Sequence, residues 1–115
     1  MRNLTFLLLC FLLLAGPLYA SQLSDLQKKE LTLFGMKSMG IEAGIEQVKK
    51  VLSTPEVNEM VTTGLNMNGQ LCANLIVVKP LKVKSTYEAT CVAYRGGSAK
   101  KSYVIDALNG TSFIP

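Results

Sequence analysis

Histidine does not occur anywhere in the 115 residues. Its absence excludes Ser-His-Asp and Cys-His nucleophilic catalysis in their common forms, and with them most zinc sites, whose ligand sets lean on imidazole. Cysteine is scarce, at three residues, and no second long apolar run follows the one at the N-terminus. Charge is thin as well, with charged residues at 17% and a formal net charge of +4. With Arg2 removed, eleven basic residues face eight acidic ones, a balance near +3. Such a dispersed excess falls short of the concentrated basic face that nucleic acid requires, so no nucleic-acid partner is expected.

What is present begins with a leader. Arg2 supplies a minimal positive start, and an apolar run from Leu4 to Gly16 follows. Pro17 breaks it, and Leu18-Tyr19-Ala20 ends in a small residue. That order reads as a cleavable secretory signal over residues 1–20. The run is shorter than the ~20 residues that span a bilayer. Cys10 sits inside the run and not after a lipobox, so neither a membrane anchor nor a lipid-anchored cysteine is expected after cleavage. Residues 21–115 then form one small domain, exported to the periplasm or secreted. Cys72 and Cys91 remain, and an even pair in an oxidising compartment reads as a disulfide, the alternative being two free buried thiols.

The two halves of that domain differ in period. Residues 24–65 are helical in pattern. Ser24-Asp25-Leu26-Gln27 reads as a capping box opening a first helix, with Leu26, Leu31 and Phe34 as core contacts and Gly35 and Gly40 interrupting or ending it. Ile41, Ile45, Val48 and Leu52 recur at helical spacing and predict a second helix. Ser53-Thr54-Pro55-Glu56 caps and starts a third, short one, with Val57, Met60 and Val61 on its apolar face.

From Gln70 the period becomes two. Leu71–Val78, Thr86–Tyr94 and Ser102–Leu108 read as strands. On the second, Tyr87, Ala89, Cys91 and Ala93 share one face, with Glu88, Thr90 and Val92 on the other. On the third, Tyr103, Ile105 and Ala107 oppose Val104 and Asp106. Asn109-Gly110 predicts a hairpin that folds Thr111–Ile114 back as a fourth strand. A first hairpin centred near residues 81–82 sets Cys72 directly opposite Cys91, at a separation a disulfide can bridge. The expected fold is α+β: N-terminal helices on a three- to four-stranded antiparallel meander (residues 70–114), stapled by one cross-strand disulfide.

For chemistry, paired carboxylates remain, but Asp106 is the only acid on the last strands and Glu88 falls on the outward face. No enzyme, no cofactor and no metal site is expected. Met36, Met39, Met60 and Met67 offer soft thioethers that could carry Cu(I), yet filling gaps in a small core accounts for them more simply. Two basic turns stand out. Lys79, Pro80, Lys82 and Lys84 surround the first hairpin tip, and Arg95, Lys100 and Lys101 the second, at opposite ends of a meander. The first, stiffened by Pro80 and the nearby disulfide, suits a recognition or inhibitory loop. Solvated charges that block edge aggregation are the plainer reading. Asn109-Gly110-Thr111 also matches an N-glycosylation sequon, which a eukaryotic secretory pathway would use only if the turn is exposed and which in a bacterium means nothing beyond the turn.

The tail, from Tyr87-Glu88-Ala89-Thr90-Cys91-Val92 through Tyr103-Val104-Ile105-Asp106-Ala107-Leu108-Asn109-Gly110, resembles the PepSY family. That resemblance implies an exported or envelope-facing domain of helix followed by strands, of a kind that modulates or inhibits peptidases. The Cys72/Cys91 pair lies outside the usual PepSY pattern. Gly44–Pro55, with its Gly…Val…Leu-x-x-Pro order, is similar to small outer-membrane-assembly lipoproteins, though without their lipobox. Together these readings predict an exported, non-enzymatic module that binds and modulates an envelope or secreted protein, a peptidase or hydrolase among them. The alternative is an accessory subunit of an envelope complex that docks by strand-edge pairing. Oligomeric state is left open.

Overall fold

The computed structural model describes residues 23–115; the expected signal segment, 1–20, lies outside the described residues. Two helices precede a four-stranded antiparallel sheet, so the fold is α+β. Helix α1 spans Asp25–Ser38 and α2 spans Thr54–Met67, with a single 3-10 turn, Ile45–Gln47, between them. Strands β1 (Asn74–Pro80), β2 (Thr86–Val92), β3 (Lys100–Asp106) and β4 (Thr111–Phe113) lie in sequence order, a plain meander.

Both helices start where the capping chemistry sets them. Ser24 accepts from Gln27 N–H while Gln27 Oε1 accepts from Ser24 N–H, and Ser53 and Glu56 form the same reciprocal box. The hydrogen bonds from the Ser53 backbone and hydroxyl hold the Glu56 carboxyl below its ordinary range. Both helices stop in the same way. Gly40 and Gly69 adopt left-handed φ of 86° and 84°, and each closes a pair of bonds back to the last turn. That is the Schellman arrangement, for which glycine carries no Cβ penalty.

Gly35 does not interrupt α1; the helix runs through it to Ser38. A Cβ there would sit 2.9 Å from the Met60 carbonyl oxygen, and one on Gly64 would sit 2.5 Å from the Phe34 ring. Each helix thus turns a glycine toward the other, and the pair pack closely because nothing projects there. Gly64→Ala is expected to lose about 1 kcal/mol of stability in urea unfolding. Overpacking against Phe34 costs ~1–3 kcal/mol and the gain in helix propensity returns only part of it.

The second expected helix, over Ile41–Leu52, does not form. That segment is irregular apart from Ile45–Gln47. Its apolar positions recur at the right spacing, but only Val48 is buried and Ile41 is 46% exposed. Gly44, extended at φ −107°, ψ 172°, breaks any helix at its centre, and the remaining β-branched residues propagate one weakly. The helix begun at Ser53 is, conversely, as long as α1 and not short.

Helices α1 and α2 cover one face of the sheet. Leu31 and Phe34 of α1 and Val57, Val61 and Leu65 of α2 meet Val78, Tyr87, Ala89, Cys91, Tyr103, Ile105 and Ala107 in one core. The inward residues of β2 and β3 are those their alternation predicts. Leu26 departs from expectation: it stands in the first turn of α1, outside the core, and is 53% exposed.

Two hairpin registers also differ. Cys91 lies opposite Leu75, not Cys72, and a bulge separates Leu75 from Val77. The Cys72–Cys91 disulfide nevertheless forms, at a Cα–Cα distance of 5.2 Å. Cys72 lies just ahead of β1, where the side chain of Asn66 takes both its backbone groups: Cys72 N–H donates to Oδ1 and Nδ2 donates to the Cys72 carbonyl. Asn66 thereby replaces a strand neighbour and folds Cys72 back onto β2. Asn109-Gly110 is part of a four-residue connection, since Asp106 pairs with Thr111. That turn is held on the helix ends by Lys37 Nζ donating to the Leu108 carbonyl and by Ser38 Oγ and Asn68 Nδ2 donating to the Gly110 carbonyl.

Candidate functional site

The first hairpin tip is the best-defined surface feature. Strand β1 runs on to Pro80, so the turn is Leu81–Ser85, with Lys82 and Lys84 exposed on it. Leu81 is 37% and Val83 69% exposed, an apolar pair alternating with the two lysines. Lys79 is partly engaged, 3.3 Å from Glu88 across the β1–β2 pair. This exposed pair adds little stability, about 0–1 kcal/mol. Of the four residues expected to contact a partner, Lys82 and Lys84 share the turn, Pro80 ends the strand below it, and Lys79 belongs to the sheet.

The base of the tip is clamped. Leu81 N–H donates to the Thr86 carbonyl at 3.0 Å and Thr86 N–H to the Val83 carbonyl at 3.2 Å, while Ala107 N–H donates to the Ser85 carbonyl at 3.0 Å. Ser85 takes a left-handed φ of 63°, which is uncommon without glycine. From there its hydroxyl donates to Glu30 Oε2 at 2.7 Å. Tyr87 Oη donates to Glu30 Oε1 at 2.6 Å. Glu30, on α1, is only 6% exposed. Burial, reinforced by the hydrogen bond to Glu30, pushes the Tyr87 phenol far above its ordinary range. Tyr87 therefore remains a donor throughout the physiological range.

A groove of about 220 Å³ opens between this tip and the start of α1. Leu26, Pro80 and Leu81 supply apolar wall, Glu30 and Tyr87 also line it, and so does Lys84. Sequence reasoning missed this site, although one signal was visible. Gln27, Glu30, Leu31 and Phe34 stand at i, i+3, i+4 and i+7, so an acid lies within the core-facing stripe of α1. Nothing in the spacing shows that it meets Tyr87 at a sequence distance of 57.

The second basic turn lies at the other end of the sheet, with Arg95, Lys100 and Lys101 exposed. Met39 and Met67 are exposed, while Met60 packs beside Gly35. Among the described residues no cluster of three or more Cys, Asp or Glu could hold a metal ion, and no helix is long and apolar enough to cross a membrane. The disulfide is consistent with an oxidising, exported location.

No protein-family model, curated protein or solved structure matches the chain.

Proposed function

We propose that the protein is an exported, non-enzymatic binding module that docks its Leu81–Ser85 tip onto another envelope or secreted protein and modulates it. A peptidase or hydrolase is the leading class of partner. The observation that carries this reading is the clamped tip: exposed Leu81 and Val83 stand on a turn tied at its base to β3 and to buried Glu30. A loop already held in one conformation loses little entropy on docking, which is how a small surface gains affinity. Its alternation of apolar and basic residues suits a cleft with an apolar floor and acidic rim. The PepSY-like tail supports the choice of a peptidase.

The sheet edges suit docking less well. Strand β1 carries a bulge and ends at Pro80, both of which blunt strand addition. The start of β3 is free beyond β4 but bears Lys100 and Lys101.

Affinity capture from the native envelope and secreted fraction tests the reading, using the wild type beside Leu81→Asp/Val83→Asp. One stoichiometric hydrolase or peptidase, recovered by the wild type and lost with the variant, is the expected result. A multi-protein assembly recovered equally by both, and lost on a proline substitution in β3, identifies a structural subunit instead.

A further inference from the structure

Loop docking leaves the chemistry of Glu30 unused. Its buried carboxylate accepts from two neutral hydroxyls, Ser85 Oγ and Tyr87 Oη. A carboxylate has about four acceptor sites, so these bonds leave capacity over. Among the described residues the ion pair found is Lys79–Glu88, and no cationic nitrogen comes within pairing distance of Glu30. A buried carboxylate without a counter-charge is costly to maintain, and a retained one is suited to a cation supplied from outside. The groove leads to it between Leu26, Pro80 and Leu81 and has room for one long side chain.

An anion fits worse. Lys84 lines the groove and α1 begins beside it, but the Ser24 and Gln27 N–H groups are consumed in the capping box. Asp25 occupies the first turn, and Glu30 itself repels negative charge.

We propose that this groove is an anchor pocket for a basic side chain, a lysine or arginine of the protein partner. Its methylenes lie along Leu26, Pro80 and Leu81, and its ammonium or guanidinium reaches Glu30. Lys84, lining the same groove, disfavours a second positive charge beside the first. The partner segment therefore presents one basic residue among neutral or acidic ones. This inference rests on the loop-docking reading and specifies the chemistry of its partner.

The test is a titration of ¹⁵N-labelled protein, produced from the complete chain, with butylguanidinium, followed by NMR. Pentan-1-ol and pentanoate serve as neutral and anionic probes of similar length. Butylguanidinium is expected to give saturable shifts in the amides of Gln27, Glu30, Ser85 and Thr86. Binding should weaken at least about ten-fold with pentan-1-ol or with Glu30→Gln, which removes charge but keeps an acceptor. Leu26→Trp, at an exposed position outside the Glu30 hydrogen bonds, should block the groove and abolish the shifts even if Glu30→Gln fails to fold. Equal binding of the alcohol, preference for pentanoate, or no saturable shift with any probe overturns the proposal. Partner capture separates the two readings. Capture without butylguanidinium binding removes the anchor pocket and leaves loop docking intact, whereas groove binding without capture by the tip does the reverse.

Discussion

Replacing Cys72 and Cys91 together by alanine is expected to lower the unfolding free energy by about 3 kcal/mol and the Tm by roughly 12–24 °C. Two effects combine. The disulfide closes a loop with a sequence separation of 19, and its loss returns that chain entropy to the unfolded state. Both sulfurs are also part of the core, where Cys91 is fully buried between Ala89 and Ala93 on the inward face of β2. Alanine leaves a void there that a small core cannot easily close. In a domain this size, such a loss removes a large share of the whole margin. Reducing the wild type with dithiothreitol should reproduce most of the shift. A Tm unchanged after reduction, with two free thiols confirmed by mass, would show that Asn66 and the β1–β2 ladder hold the segment without the bond.

The pairing of Cys72 with Cys91 is legible from their number and the expected compartment, but direct opposition across the hairpin is not what brings them together. Symmetry about a turn at 81–82 requires β1 to begin before Cys72 and to run without a bulge. In fact β1 begins at Asn74, and Asn66 imposes the bend that brings Cys72 back. A side chain standing in for a strand leaves no periodic trace. The alternation of β2 and β3 was legible for the opposite reason. Each strand has one buried face, so Tyr87, Ala89 and Cys91 must alternate with Glu88, Thr90 and Val92.

The helical half obeys the same distinction between local and tertiary causes. Caps are local: Ser24 and Ser53 mark both helix starts in the sequence and Gly40 the end of α1, whereas the end of α2 at Gly69 is seen only in the structure. The stripe Ile41, Ile45, Val48 and Leu52 is equally local in form, yet a helix needs a surface on which to bury it. Residues Glu30–Gly35 of α1 are buried consecutively, and α1 and α2 already occupy the inner face of the sheet. The intervening segment connects them with only Val48 of its apolar positions buried, and periodicity that buries so little yields no helix. Gly35 illustrates the converse: a residue that weakens a helix by propensity is retained because α2 passes there.

The Glu30 cluster is where stability and the proposed function meet. Glu30→Ala is expected to cost about 3 kcal/mol, because it removes two charge-assisted hydrogen bonds and strands the buried Tyr87 hydroxyl. Tyr87→Phe should cost about 2 kcal/mol, leaving the carboxylate with one donor. The combination Glu30→Ala/Tyr87→Phe should fall well below the sum of the single changes, since it leaves neither a buried carboxylate short of a donor nor a Tyr87 hydroxyl without its acceptor, and only the part-buried Ser85 hydroxyl loses its partner. Urea unfolding of the four proteins gives the coupling directly. Additive losses would mean that Glu30 and Tyr87 are satisfied independently, and the clamp would then lose its physical basis. Hydrogen exchange supplies the functional arm. In Glu30→Ala the amide of Thr86 should exchange faster than in the wild type while those of Ile105 and Ala89 stay protected, because among the described residues the hydrogen bond that ties the turn to α1 is that of Ser85 to Glu30. A tip that loosens while the sheet holds should also bind its partner more weakly, since the entropy that the clamp removes beforehand must then be lost on docking.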